Sequence, residues 1–437
     1  MAANASSDTP VLSRRHVHIL IVGAGLTGLI FAQGLRKFNA SPAATAHPTK
    51  YTYSLFERDP YALSRGGGYS LSIHWALSNL RDALPEDTLT GLNDCLVNPY
   101  AFEQGEPGQF QYLNFRTGEQ VVAFPFRPGS SARVSREKII KLLMTGLDIQ
   151  FSKHLSDISY PTDTAVKAHF ADGTSAIGDL LIGADGVRSK VRRDLCPGPK
   201  GQTRQLPVRM LGVKVSYPVE KVEQCRKIDP HFYHGGDPQT NVYSWFSFIH
   251  LPRPTDGIPD AECQLTFSWP YEKGFLGREE PTDMPATNAE RHAWMRQLAD
   301  GWAEPFREMI YDLPESTELR EIGVEDWRPE KGAWDNHNGR VTLVGDAAHA
   351  MTIFRGEAAN HGIVDVTSLM SLLFGEQEDS PKAVDLKHVV DTYEYEMIER
   401  TYPATLRAHQ ACLDANHFAS VKDGSPLIAR RAIKVET

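Results

Sequence analysis

Apolar residues in the first sixty positions form two strand-like runs separated by a helical stretch. The run HVHILIV leads into the glycines at 23–28, an apolar helical pattern follows, and a second apolar strand covers 51–57. A strand closed by a glycine turn and followed by a helix predicts a βαβ unit. The stretch 41–49, which contains Pro and Ala, predicts an enlarged connection before the second strand.

The middle of the chain has a different pattern. Residues 91–125 and 206–275 contain alternating and aromatic runs such as VRMLGVKVSY and NVYSWFSFIHL, which predict a β-sheet. Large apolar residues then recur four positions apart and would share one face of an amphipathic helix; they are Trp294, Leu298, Trp302, Phe306 and Ile310. Core packing explains this stripe better than contact with a cofactor.

The last hundred residues return to the first pattern. A buried strand is predicted at 340–345, followed by a helix near 362–373, an acidic loop at 376–379 and a long helix over 384–416. At the other end of the chain, the polar residues 1–14 predict a disordered leader.

Composition and charge narrow the class of protein. A chain of 437 residues with 41% hydrophobic content can bury a large core. Its net charge of −9 makes it a poor candidate for nucleic-acid binding, which depends on Lys and Arg. The five cysteines are scattered without a CxxC pair, so no metal site is predicted. Neither a secretory signal nor a membrane span is predicted, which favours a cytoplasmic protein.

The glycine turn has the spacing of a dinucleotide-binding loop. Gly23, Gly25 and Gly28 form a G-x-G-x-x-G motif between the first strand and its helix. This spacing allows a tight turn, close approach of a pyrophosphate, and close packing of the helix on the strand. Glu57 ends the next strand, where a carboxylate can accept hydrogen bonds from an adenosine ribose. The motif alone does not distinguish FAD from a nicotinamide dinucleotide, and unrelated α/β folds contain similar turns.

Two later motifs also follow buried strands. The chain reads IGADGVRSKVR at 182–192, with Asp185-Gly186 at the strand end. It reads VGDAAHAMTIFRGEAANHG at 344–362, with Gly345-Asp346 at the strand end. With all three motifs in this order, the chain resembles the class A flavoprotein monooxygenases, the para-hydroxybenzoate hydroxylase type, and in particular their fungal secondary-metabolism members.

The resemblance implies a fold and a domain order. The fold is α/β, with a Rossmann-type (glutathione-reductase-like) FAD-binding domain, an inserted β-sheet substrate domain and C-terminal helices. The FAD-binding domain would comprise 15–90, 126–205 and 335–375. The substrate domain would comprise 91–125 and 206–334, and a C-terminal helical segment would cover 376–437.

The resemblance also implies which residues bind FAD. Arg136 lies where the family places an Arg facing the cofactor, although a surface Arg capping a helix is the alternative. The segment 64–69 matches a glycine-rich stretch bordering the flavin, with an ordinary loop as the alternative. The complete set of predicted cofactor-binding residues is Gly23, Gly25, Gly28, Glu57, Arg58, Gly67, Gly68, Arg136, Asp185, Gly186, Gly345, Asp346, Ala359 and Asn360.

The activity that the resemblance implies is oxygen insertion. NAD(P)H would reduce the FAD, and O2 would form a flavin C4a-hydroperoxide that oxidises a hydrophobic small molecule such as an aromatic, indole or alkene compound. The cofactor performs the electron chemistry and the protein supplies position and dryness. Arg209 is the first candidate catalytic residue in the predicted substrate sheet, and Tyr243, Tyr233 and His234 are weaker candidates.

Two positions depart from the family pattern. Ile353 stands where Pro is usual, and Ala358 stands where a second Gly is usual. Both fall in the part of the motif that borders the isoalloxazine, and they motivate an alternative: an FAD-binding oxidoreductase, cyclase or isomerase that does not insert oxygen. A non-enzymatic flavin-binding protein is the third hypothesis.

Overall fold

The computed structural model describes residues 14–64, 66, 68–127, 129–375 and 384–430. The strands in these ranges are β1 (Arg15–Val22), β2 (Thr49–Phe56), β3 (Ser70–Ile73), β4 (Gln109–Asn114), β5 (Gln120–Pro125), β6 (Ala132–Ser135), β7 (Ile149–Gln150), β8 (Leu155–Thr162), β9 (Ala165–Phe170), β10 (Ser175–Gly178), β11 (Leu180–Gly183), β12 (Arg204–Gln205), β13 (Val208–Pro218), β14 (Phe232–Gly236), β15 (Tyr243–His250), β16 (Asp260–Pro270), β17 (Arg320–Glu321), β18 (Glu325–Asp326) and β19 (Val341–Leu343).

The helices follow the same numbering along the chain. They are α1 (Leu26–Asn39), α2 (Pro42–Ala46), α3 (Leu77–Ala83), α4 (Glu86–Leu89), α5 (Pro99–Glu103), α6 (Arg136–Leu143), α7 (Lys190–Leu195), α8 (Glu223–Ile228), α9 (Asn288–Leu298), α10 (Phe306–Tyr311), α11 (Ala358–Phe374) and α12 (Leu386–Ala415).

A five-stranded parallel sheet carries the three sequence motifs. Its strand order is β19-β11-β1-β2-β7, and every neighbouring pair is parallel. Strands β11 and β19 are wholly buried and β1 is largely so, which explains why they are continuous apolar runs in the sequence. Helix α1 packs against α11, and α11 packs against α12. The predicted α/β fold with a Rossmann-type parallel sheet is confirmed.

A seven-stranded sheet forms the middle of the chain. Its order is β17-β13-β16-β15-β14-β4-β5, antiparallel except where β4 runs parallel to β14. One face packs on α9 and α10 around buried aromatics that include Phe248 and Phe267. Because side chains alternate along each strand, residues such as Met210 and Tyr243 belong to the other face.

The prediction of one continuous amphipathic helix across 294–310 is wrong. The five apolar residues are all buried, but they are divided between α9, α10 and the turn that separates them. Gly301 adopts a φ of +79°, and Pro305 has no backbone N–H to continue the helical hydrogen bonds. The spacing therefore reflects a shared core and not one helix.

The chain ends fit the predictions only in part. The long helix predicted at 384–416 is α12, while 417–430 is irregular apart from a short 3-10 turn. Residues 1–13 of the predicted leader, the acidic loop 376–379 and the tail 431–437 lie outside the described residues; Arg14 is described and hydrogen-bonds the His47 carbonyl. The domain boundaries remain a prediction. No helix in the described part of the chain is long and apolar enough to cross a membrane.

Candidate active site

The glycine turn packs tightly against the loop after β11. Gly23 has a φ of +109°, and a Cβ there would lie 2.4 Å from the Ala184 carbonyl oxygen. A Cβ on Gly28 would lie 2.0 Å from the Gly23 carbonyl oxygen. Only glycine therefore allows the turn, the helix and the neighbouring loop to approach this closely. By contrast, a Cβ on Gly25 would meet open space.

Glu57 lies beside this turn because β1 and β2 are parallel neighbours. Its carboxylate accepts hydrogen bonds from the Ala24 backbone N–H at 2.9 Å and from the Asp59 backbone N–H at 3.0 Å. The carboxylate is thereby fixed at the edge of the glycine turn, with lone pairs left for a ribose hydroxyl.

A cavity of about 680 Å³, which we call the nucleotide cavity, lies over the turn. Most of the predicted cofactor-binding residues line it, namely Gly23, Gly25, Glu57, Arg58, Arg136, Asp185, Gly186 and Asp346. Parallel strands end at the same edge of a sheet, which is why residues from distant motifs meet here.

The Asp185 carboxylate accepts hydrogen bonds from the N-terminus of helix α7. One carboxylate oxygen accepts the backbone N–H groups of Lys190 at 2.6 Å and Val191 at 3.2 Å. The other oxygen, Oδ1, is buried without a hydrogen-bond partner in the described structure. Burial raises the pKa of Asp185 above its usual value. The side chain therefore orders the loop that presents Gly186 to the cavity.

The second Asp motif is held by a buried ion-pair network. Asp365, on α11, accepts the Gly345 backbone N–H at 2.7 Å, His349 Nε2 at 2.7 Å and Arg400 Nη2 at 2.8 Å. Burial raises the pKa of Asp346, the next residue along from Gly345. Within the described ranges no group donates a hydrogen bond to the Asp346 carboxylate, so it is free to accept one from a ligand.

Arg192 joins the two Asp motifs and was not singled out from the sequence. This buried side chain donates to the Val187 carbonyl, to the Gly201 carbonyl at 3.1 Å and to the Ala347 carbonyl at 3.1 Å. Its position at the end of the motif at 182–192 was the only signal in the sequence.

A second cavity of about 1490 Å³, the large cavity, continues from the first. The two share a boundary formed by Thr27, Gly66, Tyr69, Arg136, Val187 and Asp346. Beyond it the walls include a group of aromatic residues, Phe110, Phe124, Phe126, Phe232, Tyr243 and Trp245, among polar and charged ones. An elongated ligand can therefore extend from the glycine turn to the aromatic chamber.

Several predicted cofactor residues lie at this boundary or behind it. The Arg136 guanidinium lies 5.2 Å from the Tyr69 ring centroid, and Gly68 and Ala359 line the large cavity. Asn360 is buried and uses its amide on the backbone of Ser72, His74 and Gly356. Its side chain therefore holds β3 against α11. Gly67 lies outside the described residues.

Tyr243 is the catalytic candidate that the structure places in the large cavity. Its hydroxyl lies 3.1 Å from His234 Nδ1. Arg209 and Tyr233 do not line this cavity, because strand alternation directs them to the opposite face of the sheet. Arg209 lies 3.5 Å from the Tyr271 ring centroid, and Tyr233 stacks on Phe246 in the core.

The two departures from the family pattern both line the large cavity. Ile353 is 52% exposed and belongs to a short 3-10 turn. Ala358 is the first residue of α11 and packs near Met351, Ala404 and Ala408.

The fold and the paired cavities define a dinucleotide-binding oxidoreductase architecture, and comparisons with known proteins identify the dinucleotide. The FAD binding domain family model matches residues 284–397. The chain is 46% identical over 376 residues to the FAD-dependent monooxygenase tazP of Aspergillus terreus, covering 86% of this chain and 93% of that protein. It is 44% identical over 425 residues to a probable FAD-dependent monooxygenase of Arthroderma benhamiae, covering 95% of both.

Solved structures agree on the fold. The chain is similar to 2,6-dihydroxypyridine-3-hydroxylase from Arthrobacter nicotinovorans, with a TM-score of 0.71, 19% identity and coverage of 97% of this chain and 99% of that one. It is also similar to Klebsiella pneumoniae HpxO complexed with FAD and uric acid, with a TM-score of 0.69, 20% identity and coverage of 93% and 90%.

This chain belongs to the FAD-dependent monooxygenases. The predicted class A resemblance and the FAD cofactor are confirmed, and the names of the relatives support oxygen insertion over the alternative of a flavoenzyme that does not insert oxygen.

Proposed function

We propose that this monooxygenase consumes NAD(P)H and inserts one oxygen atom of O2, through a flavin C4a-hydroperoxide, into a hydrophobic small molecule of secondary metabolism. Aromatic, indole and alkene compounds are the substrate classes. The observation that carries the proposal is the continuity of the nucleotide cavity with the aromatic large cavity at Arg136 and Asp346.

The residues of the nucleotide cavity fit FAD. The open space at Gly25 accommodates a pyrophosphate beside the first turn of α1, whose N–H groups favour an anion. Glu57 would hold the adenosine ribose. The Asp346 carboxylate receives no hydrogen bond from the described residues, and it would accept one from a hydroxyl group on the ribityl side of FAD. Bound and reduced, FAD would supply the activated oxygen.

The large cavity suits an apolar substrate. Phe110, Phe124 and Phe232 give part of its wall an apolar surface against which such a substrate could pack. Tyr243 lines this cavity, and its hydroxyl pairs with the buried His234 behind the wall, so the pair can hold or pass a proton at the Tyr243 oxygen.

Rapid mixing tests the proposal. The purified protein is reconstituted with FAD, reduced with NADPH or NADH without oxygen, and then mixed with O2. We expect reduction by a nicotinamide, followed by a transient absorbance distinct from reduced and oxidised flavin. Reduction without that transient and without substrate-coupled oxygen uptake would contradict oxygen insertion, and a protein that cannot take up FAD would contradict the whole proposal.

A further inference from the structure

Arg133 is a partly buried cation in the wall of the large cavity. It lies on β6, next to β3 and to the substrate-side strand β15. Nη1 donates to Ser72 Oγ at 2.9 Å, and Nη2 donates to Ser70 Oγ and Ser247 Oγ, each at 2.9 Å. Three serine hydroxyls from two sheets thus fix the guanidinium in place.

The guanidinium lacks a carboxylate partner. Among the residues that the structure describes, none forms an ion pair with Arg133, and its Nε is buried without an acceptor. Asp229 is the acidic residue whose charge acts on Arg133. Its carboxylate already accepts hydrogen bonds from the backbone N–H groups of Gln109, His231 and Phe232. Two other arginines with little exposure are neutralised: Arg355 pairs with Glu357, and Arg400 with Asp365.

An unpaired charge that is partly withdrawn from water is costly unless something compensates it. Burial lowers the pKa of Arg133 to about 9, so the guanidinium is still charged at neutral pH. His231, which also lines the cavity, has its pKa lowered to about 4 mainly by burial and is neutral there. Arg133 is therefore a positive charge that an anion entering this part of the cavity would meet, together with Arg430, whose guanidinium carbon lies 5.2 Å from the Phe124 ring centroid.

The surroundings of Arg133 suit a flat aromatic ligand. Its guanidinium carbon lies 5.4 Å from the ring centroids of both Phe232 and Trp245. Phe110 and Phe124 stack on each other in the same wall, with centroids 4.7 Å apart. A ring between such walls would present a substituent oxygen to the guanidinium edge.

We propose that Arg133 binds an anionic oxygen, a phenolate or a carboxylate, on the aromatic ring of the substrate, which makes the large cavity selective for acidic aromatic compounds. The inference rests on the proposed function, because it assigns this cavity to the substrate. Hydrogen bonds to charged groups are strong enough to give a preference of about tenfold to a hundredfold over a neutral analogue.

Equilibrium titration of the FAD-loaded protein tests this. The probes are 2-naphthol, 2-naphthoate and 2-methoxynaphthalene, which share one ring system, and the readout is the change in flavin absorbance on binding. We expect the wild type to bind the naphthol, the naphthoate or both at least about tenfold more tightly than the methyl ether. Preference for the naphthol assigns a phenolate if the bound probe shows the absorbance of the ionised naphthol, and preference for the naphthoate assigns a carboxylate.

Variants separate the role of the charge from its surroundings. Arg133→Gln should retain FAD and bind the preferred probe no better than the methyl ether. Ser247→Ala, which removes one hydrogen bond and keeps the charge, should retain most of the preference. Arg127→Gln, an exposed arginine near the cavity rim, is the matched control and should change nothing. If Arg133→Gln loses FAD, Arg133→Lys takes its place as the test variant, because it keeps the charge in a smaller head group.

Three results would overturn the inference: equal affinity for the three probes, a preference that persists in Arg133→Gln, or no binding of any probe to the FAD-loaded wild type. Failure of the proposed function would look different. In that case the charge preference would be present and dependent on Arg133, while oxygen would not be inserted.

Discussion

Replacing Asp365 with Asn removes the charge at the centre of the buried network behind the second Asp motif. The wild-type carboxylate is fully buried and accepts from Gly345, His349 and Arg400. The asparagine keeps the shape but leaves the Arg400 guanidinium with Glu396, at 2.7 Å, as its remaining ion-pair partner among the described residues. It also offers only one acceptor oxygen where the carboxylate has two.

The expected cost follows from the loss of one partner of a buried ion pair, which is about 3–5 kcal/mol. Glu396 still pairs with Arg400, so the lower end, about 3 kcal/mol, is expected. Burial opposes the charged form of Asp365, yet His349 and Arg400 hold its pKa well below the usual value. A carboxyl group whose pKa is lowered in the folded state stabilises the folded protein at pH values above its unfolded-state pKa of about 4. The difference in free energy of unfolding between wild type and variant should therefore shrink as the pH falls below about 4.

Urea unfolding at neutral pH, followed by tryptophan fluorescence, measures this cost. Asp391→Asn is the matched control, because Asp391 forms an exposed ion pair with Lys387 on α12 and should cost about 0.5 kcal/mol or less. If Asp365→Asn costs no more than this control, the network does not stabilise the loop that carries Asp346.

Three further predictions concern the cofactor site. Gly25→Ala should preserve folding and weaken FAD binding at least about tenfold, since its methyl group enters open cavity space. Gly28→Ala should instead reduce stability, because its Cβ would lie 2.0 Å from the Gly23 carbonyl oxygen. Thermal unfolding and FAD titration distinguish these two effects. Glu57→Gln should weaken FAD binding about tenfold by titration, and unchanged affinity would remove Glu57 from the site. Ala358→Gly should leave FAD affinity near the wild-type value and change the rate at which O2 reoxidises the flavin, as stopped-flow absorbance would show; a large loss of affinity would mean that Ala358 supports the cofactor directly.

The parallel sheet and its motifs could be predicted because their signals are local. Gly23 and Gly28 act within one strand–turn–helix unit, and Asp185 and Asp346 each follow a buried strand. Once strands are parallel, their ends converge, so the meeting of these residues in one cavity follows from topology.

The substrate side depends on information that the local pattern lacks. Alternation shows that half of the residues of a strand face each side of the sheet, but it does not say which side faces the cavity, so the sequence alone favours Arg209 although Tyr243 is the residue that lines the cavity. The position of Arg133 is defined by serines on β3 and β15, which are distant in sequence. The four-residue spacing that begins at Trp294 likewise does not establish a continuous helix, because a glycine and a proline interrupt it before Ile310.

Isotope labelling shows whether this enzyme transfers an oxygen atom from O2 to its substrate. The FAD-loaded enzyme is supplied with NAD(P)H, labelled O2 and an acidic aromatic compound that it binds, and the product is analysed by mass spectrometry. We expect one labelled oxygen atom in the product, with one NAD(P)H and one O2 consumed for each product formed. A product without label, or NAD(P)H oxidation that yields only hydrogen peroxide, would contradict it.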